Sequence, residues 1–310
     1  MLTLNFARRH LAESAGIPLL NAPHILFDRT LLRERQRRAA RKGAEKFLLE
    51  RATEDLFERL ATMTRDFPRT ALIETPSPND LRDALLRSNK TESVDLLPVT
   101  GETETIEGAR APYDLAISLL SMQWLNDLPG VLAQMKRLLK PDGLLLAAAI
   151  GGDTLTELRE ALAIAESEIE GGISPRVSPF VEVRVLGGLL QRAGLALPVT
   201  DTDRFTVRYD NAIALMHDLR RMGATNALAE RSRKPLQRAT LFRAAEVYRE
   251  RFADNDGRIR ATFEILWLSG WSPHESQQQP LRPGSAKTRL ADALSTVELP
   301  AGNKTNKNSG

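Results

Sequence analysis

The stretch from Tyr113 to Ile150 constrains the fold of this chain more than any other. Tyr113 to Leu120 is an apolar-rich run of strand length, and Leu128, Val131, Leu132, Met135, Leu138 and Leu139 then recur at helical spacing. Lys140-Pro141-Asp142-Gly143 closes that helix. It reads as a turn, because proline presets one φ angle and glycine permits a positive one. Gly143 to Ile150 follows as a continuous apolar strand of the kind buried on both faces. Strand, helix, turn, strand is the unit of a parallel sheet with right-handed crossovers. The expected class is therefore α/β, a mostly parallel sheet flanked by helices.

The flanking sequence extends this pattern in both directions. Upstream, Phe47, Leu48, Leu56, Phe57, Leu60 and Met63 imply a helix over Ala44 to Thr64, and Ala71-Leu72-Ile73, just after Pro68, has the length and flanks of a first buried strand. A helix over Asp80 to Arg87, a possible second strand from Ser93 to Val99, and a polar loop from Thr100 to Arg110 carrying Glu102, Glu104 and Glu107 follow. Downstream, Thr154 opens a helix through a capping box with Glu157, its inner face marked by Leu155, Leu158, Leu162 and Ala165 and its end by Gly171-Gly172. Helices are expected over Val181 to Arg192, Asn211 to Met222 and Leu236 to Arg251, and strands over Arg204 to Tyr209 and Ala261 to Gly270. Four segments result: an irregular N-terminal arm (1–26) holding Pro18 and Pro23, a helical lead-in (27–66), a main domain with inserted helices (67–295), and a disordered tail (296–310).

Composition excludes several function classes. With 42% apolar and 27% charged residues the chain has the globular average, and no apolar run approaches the roughly 20 residues that cross a bilayer. There is no cysteine, which removes disulfides, thiolate metal sites and cysteine nucleophiles and suits a reducing cytoplasm. Met1 to His10 lacks the apolar core of a secretory signal, so export is not expected. A net charge of +3 and a pI near 9.3 are too weak to name nucleic acid as a partner. Arg29 to Lys42 nevertheless concentrates seven basic residues against the single acid Glu34. Such a stripe is either a solvated helix face or a surface for an anionic partner, a peripheral membrane contact included.

In an open α/β sheet, ligands gather at the carboxyl ends of the strands. That places Ser121, Gln123 and Trp124, after the central strand, and Asp153, after the next, in the candidate pocket; Trp124 reads equally as a core aromatic and Asp153 as a helix cap. Asp95, about 20 residues past the first strand, occupies the place of a ribose-binding acid, or is an ordinary loop aspartate. His274-Glu275 brings an imidazole beside a carboxylate, but the histidines, His10, His24, His217 and His274, have no spacing that builds a metal site. No Gly-x-Ser-x-Gly elbow supports hydrolase chemistry. The turn after the first strand, Glu74-Thr75-Pro76-Ser77-Pro78-Asn79-Asp80, contains no glycine to let a nucleoside approach, and its two prolines lack backbone donors.

Several blocks carry a resemblance: Phe27-Asp28-Arg29, Ser118 through Pro129, Leu139 through Gly143, Gly151-Gly152-Asp153-Thr154-Leu155, Gly171 through Pro175 with Ser178-Pro179-Phe180, and Gly270-Trp271 with His274-Glu275-Ser276-Gln277. From about Phe27 to Leu294 the chain resembles the methyltransferase-like complex I assembly proteins of mitochondria and alphaproteobacteria, relatives of the malonyl-carrier-protein methyltransferases. The resemblance implies a Rossmann-like class I methyltransferase fold, S-adenosylmethionine as cofactor, and a protein client among complex I subunits. It also implies that the mitochondrial member is an arginine hydroxylase. The family's Asp-Leu-Gly-x-Gly-x-Gly segment aligns with Ile73 to Asn79, so Thr75, Ser77 and Asn79 stand at its glycine positions and Ile73 replaces its acid. Two functions follow: a cofactor-dependent enzyme acting on a protein through residues near Ser121, Gln123, Trp124 and Asp153, or a noncatalytic assembly factor that has lost the cofactor.

Overall fold

The computed structural model describes residues 25–108 and 112–278, together with Asp292 and Ser295. Nearly all of the N-terminal arm, and the tail from 296 onward, lie outside the described residues. The chain divides into one compact unit ending at Pro273 and a second beginning at His274.

The strands are β1 (Arg69–Ile73), β2 (Ser93–Leu97), β3 (Val99–Thr100), β4 (Thr105–Ile106), β5 (Tyr113–Leu119), β6 (Leu139–Ile150), β7 (Ala196–Tyr209) and β8 (Ile259–Trp271). Six of them form one sheet in the order β2-β1-β5-β6-β8-β7, while β3 and β4 make a separate hairpin. The pairs β1–β2, β1–β5 and β5–β6 are parallel, and β8 runs antiparallel to both β6 and β7. Only β8 therefore opposes the rest. The helices are α1 (Arg29–Arg41), α2 (Phe47–Thr62), α3 (Pro78–Arg87), α4 (Leu128–Leu138), α5 (Thr156–Glu170), α6 (Val183–Arg192), α7 (Ala212–Arg221) and α8 (Arg238–Phe252). Among the described residues, no helix is long and apolar enough to cross a membrane.

Strand periodicity of two sorts the core into layers. Ala71 and Ile73 of β1, Leu145, Ala147 and Ala149 of β6, and Leu266 and Leu268 of β8 face one side, where Val131, Leu132 and Met135 of α4 and Leu186 and Leu190 of α6 cover them. The alternate residues Leu72, Leu144, Leu146, Ala148, Ile265 and Trp267 face the other side, under Ala52, Leu56 and Leu60 of α2 and Leu81 and Leu85 of α3. A third apolar cluster packs α5, α7 and α8 against the end of β7 and the start of β8.

Three expectations change. Lys140 to Gly143 is not a free turn but a bulge inside β6, where the register with β5 shifts between Tyr113 and Leu115. Asp142, not Gly143, takes the left-handed φ of 60°. Gly143 is required for a different reason: a Cβ there would lie 3.0 Å from the carbonyl oxygens of both Lys140 and Tyr113. The capping box at Thr154 does not form, because α5 starts at Thr156 after Leu155 in left-handed conformation. Thr154 instead accepts from the backbone N–H of Glu264 at 3.0 Å, and Glu157 accepts from the Thr262 N–H at 3.1 Å. Both side chains fasten this segment to β8. The loop before β5 also contains a hairpin, and its Glu104 is buried at 1% exposure.

Glu166 of α5 is buried as well and secures the segment after the helix. It accepts from the Ser174 N–H at 2.8 Å, the Ser174 hydroxyl at 2.7 Å and Arg176 Nε at 2.6 Å. Burial pushes this carboxyl up, but the Ser174 bonds and Arg176 outweigh it and hold it below its ordinary value of 4.5. A group depressed in this way stabilises the fold fully above its unfolded value, and that stability is lost as pH falls through the folded value. Glu166→Gln is expected to lose about 2 kcal/mol near neutral pH, with the difference from wild type vanishing below the carboxylate range. Urea denaturation across that range checks this, and a difference that persists in acid would contradict it. Gly143→Ala is expected to destabilise by about 1–3 kcal/mol in the same assay, because backbone oxygens on both sides cannot yield.

Candidate functional site

From β1 the chain moves outward to β2 on one side, and from β5 to β6 on the other, so the order of the sheet reverses between β1 and β5. A crevice opens at the carboxyl ends of strands at such a switch point. Here it is framed by the turn after β1 and by the segment Leu120 to Leu125 after β5.

The turn after β1 holds Glu74 at φ 38° and Ser77 at φ 48°. These are glycine-favouring conformations, and each non-glycine residue there is disfavoured by roughly 1–2 kcal/mol. The loop thus bends as a glycine-rich loop would, while side chains fill the space that glycine leaves open. Thr75 is buried; its hydroxyl donates to the Ile73 carbonyl at 3.2 Å and accepts the Leu119 N–H at 3.1 Å, bridging β1 to β5. Pro78 fits the first turn of α3, where a missing N–H disturbs no helical bond. That same missing donor would have faced a ligand.

Helix α1 crosses in front of this turn. Asp28 caps it by accepting the Leu31 N–H at 3.0 Å, and an ion pair from Asp28 to Arg231 at 3.4 Å steadies its start. Arg29, its side chain only 13% exposed, reaches Glu74 at 2.6 Å with one terminal nitrogen and Glu104 at 2.9 Å with the other. One turn later Arg33 donates to the Val99 carbonyl and stands 3.6 Å from Glu74. The second Glu74 oxygen accepts the Val99 N–H at 2.8 Å. Glu104 accepts the N–H groups of Asn126 at 2.9 Å and Asp127 at 2.7 Å, and Asn126 Oδ1 accepts those of Leu26 at 2.9 Å and Phe27 at 2.8 Å. The ring of contacts closes on the residues just before α1.

Two cavities flank this clamp. One, of about 240 Å³, lies over the ends of β1 and β2, with Arg29, Arg33, Glu74 and Pro98 in its wall. It falls below the roughly 300 Å³ at which ordinary ligand pockets begin. Glu74 is the one carboxylate lining it, and Arg29, Arg33 and Val99 already engage both its oxygens. The other, of about 390 Å³, lies beneath α1 and is mostly apolar, walled by Leu49, Leu120, Trp124, Ile150, Phe180 and Met222 among others. Glycine-free backbone, two prolines and a neutralised carboxylate do not fit a nucleoside cofactor at the first cavity.

Of the residues expected here, Thr75, Ser77, Ser121, Gln123 and Trp124 do come together around the cavities. Ser121 and Gln123 both donate to carbonyls of their own segment, at Leu119 (3.4 Å) and Leu120 (2.7 Å). Trp124 packs edge-on against Phe27 (5.4 Å between centroids) and Phe180 (6.2 Å). Asp95 is not brought to the crevice: it lies inside β2 opposite Ala71 and accepts the Tyr113 hydroxyl at 2.8 Å. Asp153 is exposed, paired with Arg204 at 2.9 Å, and caps nothing. In the second unit, His274 Nδ1 shares a 2.7 Å hydrogen bond with the Ser276 hydroxyl. No group of three or more metal-ligating side chains occurs among the described residues. Sequence reasoning missed Arg29, Glu74, Glu104 and Asn126 as a unit. The available signal was the four-residue spacing of Arg29 and Arg33, with two acids lying in loops that would otherwise be solvent-facing.

Residues 64–147 match the family described as Methyltransferase domain. The Danio rerio protein "Arginine-hydroxylase NDUFAF5, mitochondrial" is 42% identical over 213 residues, which are 69% of this chain and 66% of that protein. The Rattus norvegicus protein of the same name is 36% identical over 306 residues, 92% of this chain and 89% of that protein. A malonyl-acyl-carrier-protein O-methyltransferase of Xylella fastidiosa (strain M23) is 37% identical over 193 residues, 62% of each chain. The matched segment spans just under two thirds of the zebrafish protein and most of the rat protein. With this fold, this identity and this coverage, the chain belongs to the family of the mitochondrial arginine-hydroxylase NDUFAF5 proteins.

Proposed function

We propose that this chain is a noncatalytic assembly factor of respiratory complex I that binds a protein client and has given up the S-adenosylmethionine site of its fold. One observation carries the reading. Arg29 stands locked between Glu74 and Glu104, in front of a loop that bends as a glycine loop does without its glycines. The ribose hydroxyls of a nucleoside need a free carboxylate, and the cavity offers only Glu74, whose oxygens are engaged. Absence of cysteine suits work in the reducing cytoplasm. A second reading, a cofactor-dependent enzyme acting on a protein, draws on the larger cavity beside Gln123 and Trp124, which is of ordinary ligand-pocket size.

Calorimetric titration separates the two. S-adenosylmethionine and S-adenosylhomocysteine are expected to give no saturable heat up to on the order of 1 mM, weaker than about 4 kcal/mol of binding free energy. Micromolar binding that disappears in Trp124→Ala would overturn the noncatalytic reading. The clamp makes a second prediction. Arg29→Ala leaves the buried Glu104 without its cation and is expected to destabilise the protein by about 3 kcal/mol in urea denaturation. Arg33→Ala, at a more exposed pair, is expected to lose less than about 1 kcal/mol; equal losses would mean that Arg29 is not the central contact.

A further inference from the structure

The arginines of α1 do not form one stripe. Arg29 and Arg33 turn inward to the clamp, whereas Arg35, Arg38 and Lys42 turn toward α7, where Arg220 and Arg221 meet them across a groove of about 720 Å³. His217 and Thr225 complete its polar wall, and no carboxylate lines it. Glu45 and Asp218 lie nearby, but both pair with Arg221, at 3.2 and 3.6 Å. Arg35 donates to the Asn226 carbonyl. Arg38, Lys42 and Arg220 have no carboxylate within ion-pair distance among the described residues and are exposed. Arg38 and Arg220 stand in the last turns of their helices, and Lys42 caps α1.

The bland account is that these cations answer the negative ends of two helices. It falls short in magnitude. A helix end is worth about half an elementary charge, so two ends and two carboxylates leave the five groove cations in excess. Burial, with the charge of Arg231, already lowers the Arg35 guanidinium below its ordinary value; Asp28 opposes this and Arg38 adds to it. An incoming anion would relieve that repulsion.

From this arrangement we infer that the α1–α7 groove is a docking channel for an extended acidic polypeptide segment of the client. The inference rests on the reading of the chain as a client-binding protein and names the chemistry of that contact. A concave channel between two helices fits a chain, whereas an anionic membrane is met by a flat or convex basic face. The lining holds no phenylalanine, tyrosine or tryptophan, the broad platforms on which successive bases of a single-stranded nucleic acid stack. Arginine and lysine placed in a row match carboxylates of an extended segment through charge-assisted hydrogen bonds.

The test uses the full chain and a fluorescently labelled, unstructured peptide of about a dozen residues in which Glu and Asp alternate with Gly and Ser, read by anisotropy at low salt. Saturable binding is expected, weakened at least about tenfold in Arg38→Glu/Arg220→Glu. Arg184→Glu/Arg192→Glu changes the net charge equally on exposed positions of α6, outside the groove, and is expected to stay within about threefold of wild type. Far-ultraviolet circular dichroism verifies that both variants fold. Absence of binding, or equal losses in the two variants, would overturn the inference. So would tighter binding to phosphatidylglycerol vesicles or to a single-stranded oligonucleotide than to the peptide. Peptide binding that fails while S-adenosylmethionine also fails to bind overturns the groove alone; cofactor binding overturns the noncatalytic reading and leaves the peptide result to be judged separately.

Discussion

Arg29 ties three parts of the chain to one guanidinium: α1, the turn after β1 and the hairpin before β5. Its guanidinium spans the turn after β1, through Glu74, and the hairpin before β5, through Glu104. Glu104 in turn fixes the start of α4 by accepting the Asn126 and Asp127 amides, and Asn126 fixes the chain just ahead of Arg29. A buried pair of this kind gains little over well-packed apolar side chains, because desolvation offsets most of the attraction, while the loss of one partner strands a charge. What it supplies here is position. Helix α1 has one register over the crevice, the one in which Arg29 meets both carboxylates.

The same interaction explains how the turn after β1 keeps its bent shape without glycine. Left-handed residues at Glu74 and Ser77 are individually disfavoured and persist only where surroundings over-determine them. Glu74 is held by Arg29 and by the Val99 amide, and Thr75 by its bridge from β1 to β5. A loop that accommodates a nucleoside needs room and free donors. This one is filled and paired: Glu74 and Thr75 tie it to α1, the hairpin and β5.

The sheet was legible in the sequence because its signal is periodic. Tyr113 to Leu119 and Gly143 to Ile150 are apolar-rich, buried strands, and the helix between them keeps its spacing. The failures fall where tertiary contacts override local chemistry. Thr154 and Glu157 have the spacing of a capping box, but β8 presents Glu264 and Thr262 to them, and those partners win over the helix end. Lys140 to Gly143 has turn composition, yet pairing with β5 and β8 on either side draws it into a bulged strand. Proximity along the chain placed Ser121, Gln123 and Trp124 beside the crevice, because they follow a central strand directly, and they line its two cavities. Asp95 was misplaced by a count of residues that ignored the pleat; it lies two positions before the strand ends, bonded to Tyr113.

Helix α1 was read as a single basic face because its arginines are dense, and density hides phase. At 3.6 residues per turn, Arg29 and Arg33 share one side, Arg35, Arg38 and Lys42 a second, and Arg37 and Arg41 a third. The first side is fixed by carboxylates inside the fold and the second faces α7 across a groove. Gly223 lets α7 close on α1: it carries a φ of 71°, and a Cβ there would fall 2.8 Å from the Gln36 Cα. The approach that creates the groove therefore depends on one glycine, just as the crevice depends on one arginine. Any side chain at position 223 would push apart the two helices whose cations converge, and would do so without touching a charge.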